Sequence, residues 1–272
     1  MSTAPLLEAV NVSRLFPVRG SGGLLRRRTL QAAVDGVSVQ LNPGEVLAVV
    51  GESGSGKTTL GRMLLGLTPP TTGEVCYEGR DLRSLQGEDW RRYRREVQVV
   101  FQDTGGSLNP RYTIADSVAV PLRYNRDLSG PAAAPEADAL LEQVGLPAAQ
   151  FRHRLPHELS GGQRQRVGIA RALASQPRVI VADEPVSALD VSIRAQILRL
   201  LAGLQRERGL ALVFITHDLG VVRALADRVI VMTGGRVVES ATADALFDDP
   251  QHAYTRQLLA ATPIPDPRRQ VA

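Results

Sequence analysis

Residues 45–67 read EVLAVVGESGSGKTTLGRMLLGL. The opening residues, Val46 to Val50, are an unbroken apolar run, which predicts a short buried strand. From Leu60 onward the apolar residues recur at helical spacing, which predicts a helix. Between the two lies Gly51-Glu52-Ser53-Gly54-Ser55-Gly56-Lys57-Thr58, followed by Thr59. That octet fits the pattern G-x-x-x-x-G-K-[ST].

The pattern has a physical reading. Glycines let successive backbone N–H groups turn inward with no Cβ in the way. Those groups and the start of the following helix form a cradle for an anion. Lys57 brings a compact ammonium to the β and γ phosphates of a nucleotide, and the Thr58 hydroxyl is suited to Mg²⁺. Of 32 lysines and arginines in the 272 residues, Lys57 is the only lysine. The preference for arginine elsewhere reads as a codon bias. At Lys57 the planar, fork-shaped guanidinium is a poor substitute.

The chain outside this stretch alternates strands and helices. Upstream, residues 6–16 and 32–41 alternate like strands, and the Gly- and Arg-rich residues 17–29 between them read as a mobile loop. Downstream, apolar strands are expected at 97–101, 178–182, 210–216 and 228–240. Residues 103–177 are mostly helical in pattern, and helices are also expected at 192–208, 219–226 and 253–261. Such alternation implies an α/β protein with a mostly parallel sheet covered on both faces. Residues 103–177 then form an inserted helical subdomain. The ending PIPDPRR reads as extended or loose.

Composition narrows the setting. With 43% hydrophobic and 22% charged residues, the chain is expected to be an ordinary globular protein. One cysteine, Cys76, excludes an internal disulfide and a cysteine metal cluster, and fits a reducing compartment. In GEVCYEG it reads as a small apolar side chain in or near the core. No apolar run approaches the roughly 18 residues needed to cross a bilayer. The first residues, MSTAPLLEAVNVSR, lack the shape of an export signal, so neither membrane spanning nor export is expected. A net charge of +4 suits nucleic acid or an anionic membrane surface without choosing between them.

A phosphate cradle needs a metal carboxylate. VIVADEP supplies an apolar strand ending in Asp183 and Glu184. Side chains alternate along a strand, so Asp183 is expected to face Mg²⁺ and Glu184 to aim elsewhere, toward an attacking water. By itself an acidic pair at a strand end reads equally well as a helix cap or a solvated turn.

The motifs taken together resemble the ATP-binding cassette superfamily. LSGGQRQRVGIARAL (159–173) and VIVADEPVSALD (179–190) carry the resemblance, with VVFQD as the glutamine loop and FITHD as the histidine switch. The resemblance covers nearly the whole chain. It implies an α/β phosphate-loop NTPase core, an antiparallel N-terminal β subdomain and an inserted helical subdomain. The cassette would span residues 1–250 and a tail typical of peptide-importer ATPases 251–272. Gln102 would contact Mg²⁺ or water, His217 the γ-phosphate, and Asp190 would lie at a dimer seam. Ser160, Gly161, Gly162 and Gln163 would cap the γ-phosphate of a partner subunit, a second anion cradle at a helix start. Phe16 is the candidate to stack on adenine; packing inward as an ordinary strand residue is the alternative.

FQDTGGSLNPRYTI, DEPVSALDVS and QHAYTRQLLAATPIPDP resemble the ATPase subunits of peptide and nickel importers. Two departures stand out: Thr104 where the family often has proline, and His252-Ala253-Tyr254-Thr255 where it has HPYT. The resemblance implies ATP and Mg²⁺ as ligands and a place at the cytoplasmic face of the membrane. Its implied partners are a second cassette subunit, two transmembrane permeases and an extracytoplasmic solute-binding protein, with no nucleic acid. Import of nickel or another small solute is the alternative. An exporter ATPase and a ribosome-acting cassette protein rank below it.

Two further features read as structural. Arg91, Arg92, Arg94 and Arg95 are expected on a solvated helix face. His153 and His157 have the i, i+4 spacing of metal ligands, but Pro156 between them argues against one helix.

Overall fold

Alternating apolar residues build a hairpin near the start of the chain. β1 (Leu7–Arg19) pairs antiparallel with β2 (Arg28–Leu41), from Leu7 opposite Leu41 to Arg19 opposite Arg28. The computed structural model describes residues 4–19, 28–102 and 104–261. The hairpin is longer than the sequence suggests, because pairing continues through Pro17 opposite Leu30. Pairing of β1 on its other side stops at Ser13, so a proline lacking its N–H is tolerated at 17. Of the expected mobile loop, residues 20–27 lie outside the described residues, as does the ending PIPDPRR.

β3 (Val46–Val50) is buried at all five positions and runs through the glycine-rich turn into α1 (Lys57–Leu64). β4 (Thr72–Tyr77) pairs with the other edge of β1, and the short β5 (Arg80–Asp81) completes an antiparallel sheet in the order β2-β1-β4-β5. Cys76 is buried in β4, and burial, then the carboxylates of Glu74, Asp81 and Glu8, push its thiol up.

The middle of the chain is largely helical. α2 (Gly87–Glu96) leads into β6 (Val97–Val100). Then come α3 (Thr104–Ser107), α4 (Ile114–Arg126), α5 (Ala133–Gln143), α6 (Ala148–Phe151) and α7 (Gly161–Leu173). Among the described residues no strand interrupts this run. β7 (Val179–Asp183) lies parallel to β6, and α8 (Val191–Arg208) and β8 (Ala211–Thr216) follow. On α2, Arg91 pairs with Glu88 at 3.7 Å and Arg92 with Glu96 at 2.9 Å, a salted exposed face. Pro156 opens a separate 3-10 turn, Pro156–Glu158, so His153 and His157 do not share a helix.

The chain ends with α9 (Leu219–Leu225), β9 (Arg228–Thr233), β10 (Arg236–Thr242), α10 (Ala243–Asp248) and α11 (Ala253–Ala261). β9 is parallel to β3, and β10 is antiparallel to β9. The fold is α/β with an antiparallel N-terminal sheet. It divides into two compact units, Met1–Leu85 with Ile215–Ala272, and Gln86–Phe214. In the first unit, Ala48, Val50, Val222, Val229 and Val231 form a core on which α10 and α11 rest. Among the described residues no helix is long and apolar enough to cross a membrane.

Candidate active site

The turn after β3 is shaped by close backbone approach. Gly51 has φ 148°, and a Cβ there would overlap the Met232 carbonyl oxygen of β9. Gly56 has φ 102°, and a Cβ there would overlap the Ala33 carbonyl oxygen of β2. Both positions therefore demand glycine for space as well as conformation. Gly56 is the N-cap of α1 and brings no side-chain cap, so the helix opens toward the turn with its backbone.

Lys57 is 5% exposed, and its Nζ is wrapped by the turn itself. It donates to the carbonyls of Gly51 and Glu52, both at 2.7 Å, and to the Ser55 hydroxyl at 3.4 Å. The Ser55 N–H donates to the Glu52 carbonyl at 3.2 Å, and the Gly235 N–H to the Ser55 carbonyl at 3.1 Å. The cradle is thus a closed turn with a buried ammonium on its inner side. Glu52, Ser53, Gly54 and Thr58 are exposed, and Thr59 is half-buried. A turned backbone, a helix start and a fixed cation fit a phosphate chain.

In the same unit, His217 follows β8 directly and is exposed. Asp218 turns the chain beneath it: its N–H donates to the Thr216 hydroxyl and its carboxylate accepts from the Gly220 N–H, both at 3.0 Å, which caps α9. Phe16 is 39% exposed on β1, with the Arg14 guanidinium 4.9 Å from its ring centroid. It is not packed inward.

In the second unit, β7 ends at Asp183, and Glu184 lies beyond it with φ 46°. The strand alternation expected to separate the two carboxylates therefore stops one residue short. A left-handed turn aims Glu184 instead, held by the Ser187 N–H and hydroxyl, which donate to the Glu184 carbonyl at 3.3 and 3.1 Å. A non-glycine residue in this conformation costs about 1–3 kcal/mol, and Glu184 shares it with Asn11, Glu78, Asp127 and Gln176.

The signature turn is a helix start with its own cap. Ser160 is the N-cap of α7, and its hydroxyl accepts the Gln163 N–H at 3.3 Å, while Gln163 Oε1 accepts the Ser160 N–H at 2.9 Å. The spacing S-x-x-Q is the signal for this capping box. Gly161 faces Leu189, and a Cβ on Gly162 would overlap Cγ2 of Ile193. The structure thus brings the signature turn against the segment carrying Asp190, which is exposed at the N-cap of α8. Gln102 is exposed after β6. Its flanks are gripped from α7: Gln165 Nε2 donates to the Phe101 carbonyl at 3.3 Å, and Arg171 Nη1 to the Ser107 carbonyl at 2.6 Å. Spacing alone did not reveal this grip, nor the 3.1 Å contact between the Glu52 N–H and the Tyr254 hydroxyl of α11.

An α/β frame that turns a strand into a helix around one buried ammonium defines a phosphate-loop nucleotide-binding protein. The chain belongs to the ABC transporter family, whose model matches residues 34–187, and residues 238–272 match the oligopeptide/dipeptide transporter C-terminal region. It is 51% identical over 241 residues to the oligopeptide transport ATP-binding protein OppF of Salmonella typhimurium, covering 88% of this chain and 72% of that one. It is 51% identical over 267 residues to the glutathione import ATP-binding protein GsiA of Escherichia coli K12, covering 98% of this chain. The chain spans 42% of that relative's length. Among solved structures, the dimeric cassette MJ0796 bound to ADP and Pi superposes with a TM-score of 0.75 at 31% identity, covering 87% of this chain and 98% of that one.

Proposed function

We propose that this chain is the ATP-hydrolysing subunit of a multi-subunit membrane importer of peptides. The observation that carries the ATPase reading is the closed turn around Lys57, with two carbonyls at 2.7 Å and an uncapped helix start beside it. The match of residues 238–272 to a peptide-transporter C-terminal region supports peptides as the cargo. Residues 1–250 would form the cassette, with 103–177 as its helical subdomain.

The roles follow from chemistry. Gly51 to Thr59 hold the phosphates, and Lys57 offsets the charge that spreads over the γ-phosphoryl oxygens. The Thr58 hydroxyl, the Gln102 carboxamide oxygen and the Asp183 carboxylate are oxygen ligands of the kind Mg²⁺ takes; these residues would hold the ion, which would neutralise phosphate charge. Glu184 takes a proton from water as the water oxygen bonds to the γ-phosphorus, and the bond to the bridging oxygen breaks to leave ADP and phosphate. His217 holds the γ-phosphate. Phe16 offers adenine its exposed ring.

Ser160, Gly161, Gly162, Gln163 and Asp190 serve the nucleotide of a second cassette subunit. Closure of the pair drives two permeases at the cytoplasmic face of the membrane, fed by an extracytoplasmic solute-binding protein. Glu184→Gln tests the reading. The variant is expected to bind ATP as the wild type does while turnover falls about 100-fold or more. Wild-type turnover in a phosphate-release assay would sink the assignment.

A further inference from the structure

The C-terminal helix meets the phosphate loop at a point that the proposed chemistry leaves without a role. Tyr254, in the first turn of α11, accepts the Glu52 N–H on its phenolic oxygen at 3.1 Å. Glu52 follows Gly51 at the start of the cradle. Its carbonyl accepts from Lys57 at 2.7 Å. The backbone at residue 52 is therefore gripped on its N–H by the tail and on its carbonyl by the catalytic lysine.

The tyrosine is delivered by a built anchor. Glu239 on β10 accepts the Gln251 N–H at 2.8 Å on one carboxylate oxygen and the His252 N–H at 3.0 Å on the other. His252 Nδ1 then accepts the Tyr254 N–H at 3.2 Å, which starts the helix. Arg256 Nη1 donates to the carbonyls of Pro250 and Gln251, each at 3.0 Å. The Tyr254 ring packs against the core that contains Val50, the last residue of β3 before the loop. Strand, anchor and ring together fix where the hydroxyl sits.

The loop it touches needs an external hold. Gly51, Gly54 and Gly56 all have positive φ, so the segment is rich in residues whose ordering costs the most entropy. A loop already ordered before the phosphates arrive binds them more tightly. We infer that Tyr254 is a positioning residue of the nucleotide site: its hydroxyl holds the Glu52 N–H, keeps the phosphate loop in its receiving form, and lets the C-terminal region set nucleotide affinity. This rests on the ATP-binding reading above. Because Tyr254 holds the loop and not the γ-phosphate or the water, its effect belongs to binding and not to the chemical step.

The test compares the full chain with Tyr254→Phe, which removes the hydroxyl and keeps the ring. Equilibrium titration with ATP and with ADP is expected to show both affinities weakened by the same factor, about three- to ten-fold for one hydrogen bond. In steady state the KM for ATP rises by that factor and kcat stays within about two-fold. Glu239→Gln, which weakens the anchor and leaves the tyrosine in place, is expected to move affinity in the same direction, and it carries the test alone if Tyr254→Phe does not fold. Wild-type affinity in a folded Tyr254→Phe, or a fall in kcat at unchanged KM, overturns the inference. If the wild-type chain itself binds no ATP, the functional reading falls and this inference with it. If the wild type binds and the variants match it, only this inference falls.

Discussion

Phe16 shows what one side chain's surroundings leave available. Its position in an alternating strand is compatible with packing inward or with facing a ligand. The structure leaves it 39% exposed, with Arg14 over the ring at 4.9 Å. Arg14 is itself tied to the Pro69 carbonyl at 2.9 Å, so the guanidinium is a fixed cover. Stacking of a base on an aromatic ring contributes about 1–3 kcal/mol. Phe16→Ala is therefore expected to weaken ATP about five-fold or more, and Phe16→Trp to retain it. Equal ATP affinity for wild type and Phe16→Ala, by calorimetric titration, would remove Phe16 from the site. Glu184 teaches the complementary lesson. Its identity was legible from VIVADEP, but its direction was not, because the left-handed turn at φ 46° is set by Ser187 and by where β7 ends.

At the scale of elements, α7 joins several tasks. Its first turn is the signature, its Gln165 and Arg171 grip both flanks of the glutamine loop, and its glycines admit α8. The helical pattern of residues 103–177 announced the helix, and S-x-x-Q is the local signal that its cap leaves in the sequence. It could not announce that Gly162 is also a packing necessity, because that depends on where Ile193 of α8 falls. A β-branched side chain has little freedom to move aside. Gly162→Ala is expected to cost about 1–3 kcal/mol through overpacking. Gly162→Ala with Ile193→Ala should lose clearly less than the sum of the single losses, because the added methyl then fills vacated space. Thermal unfolding of the four proteins checks this, and strict additivity would contradict it. The tail element was visible as a motif, yet its contact with Glu52 joins residues 202 apart in sequence, which no local pattern encodes.

At the scale of the whole molecule, much of the fold could be read beforehand because its signals are periodic: a buried strand, alternating strands at the start, a helical middle; that the first sheet is antiparallel was implied by the family resemblance. What escaped is what depends on long-range placement, such as the continuation of the first hairpin through Pro17 and the anchor built by Glu239. That anchor also has a sign with pH. Burial alone would raise the Glu239 carboxyl, but the Gln251 and His252 N–H groups that it accepts, with the His252 charge, outweigh it and hold it below the ordinary glutamate range. Its contribution is thus present above the ordinary glutamate range and is lost as pH falls through the lowered value. In the proposed function the nucleotide rests in the cradle formed by residues 51–59. Lys57 is the only lysine of the chain, buried inside that cradle, and its charge-assisted contacts to phosphate are expected to contribute about 2 kcal/mol. Calorimetric titration of ATP into wild-type protein and folded Lys57→Ala tests it most directly. The account predicts binding by the wild type and an affinity about 30-fold or more weaker in the variant. Equal affinity in the two proteins would contradict it.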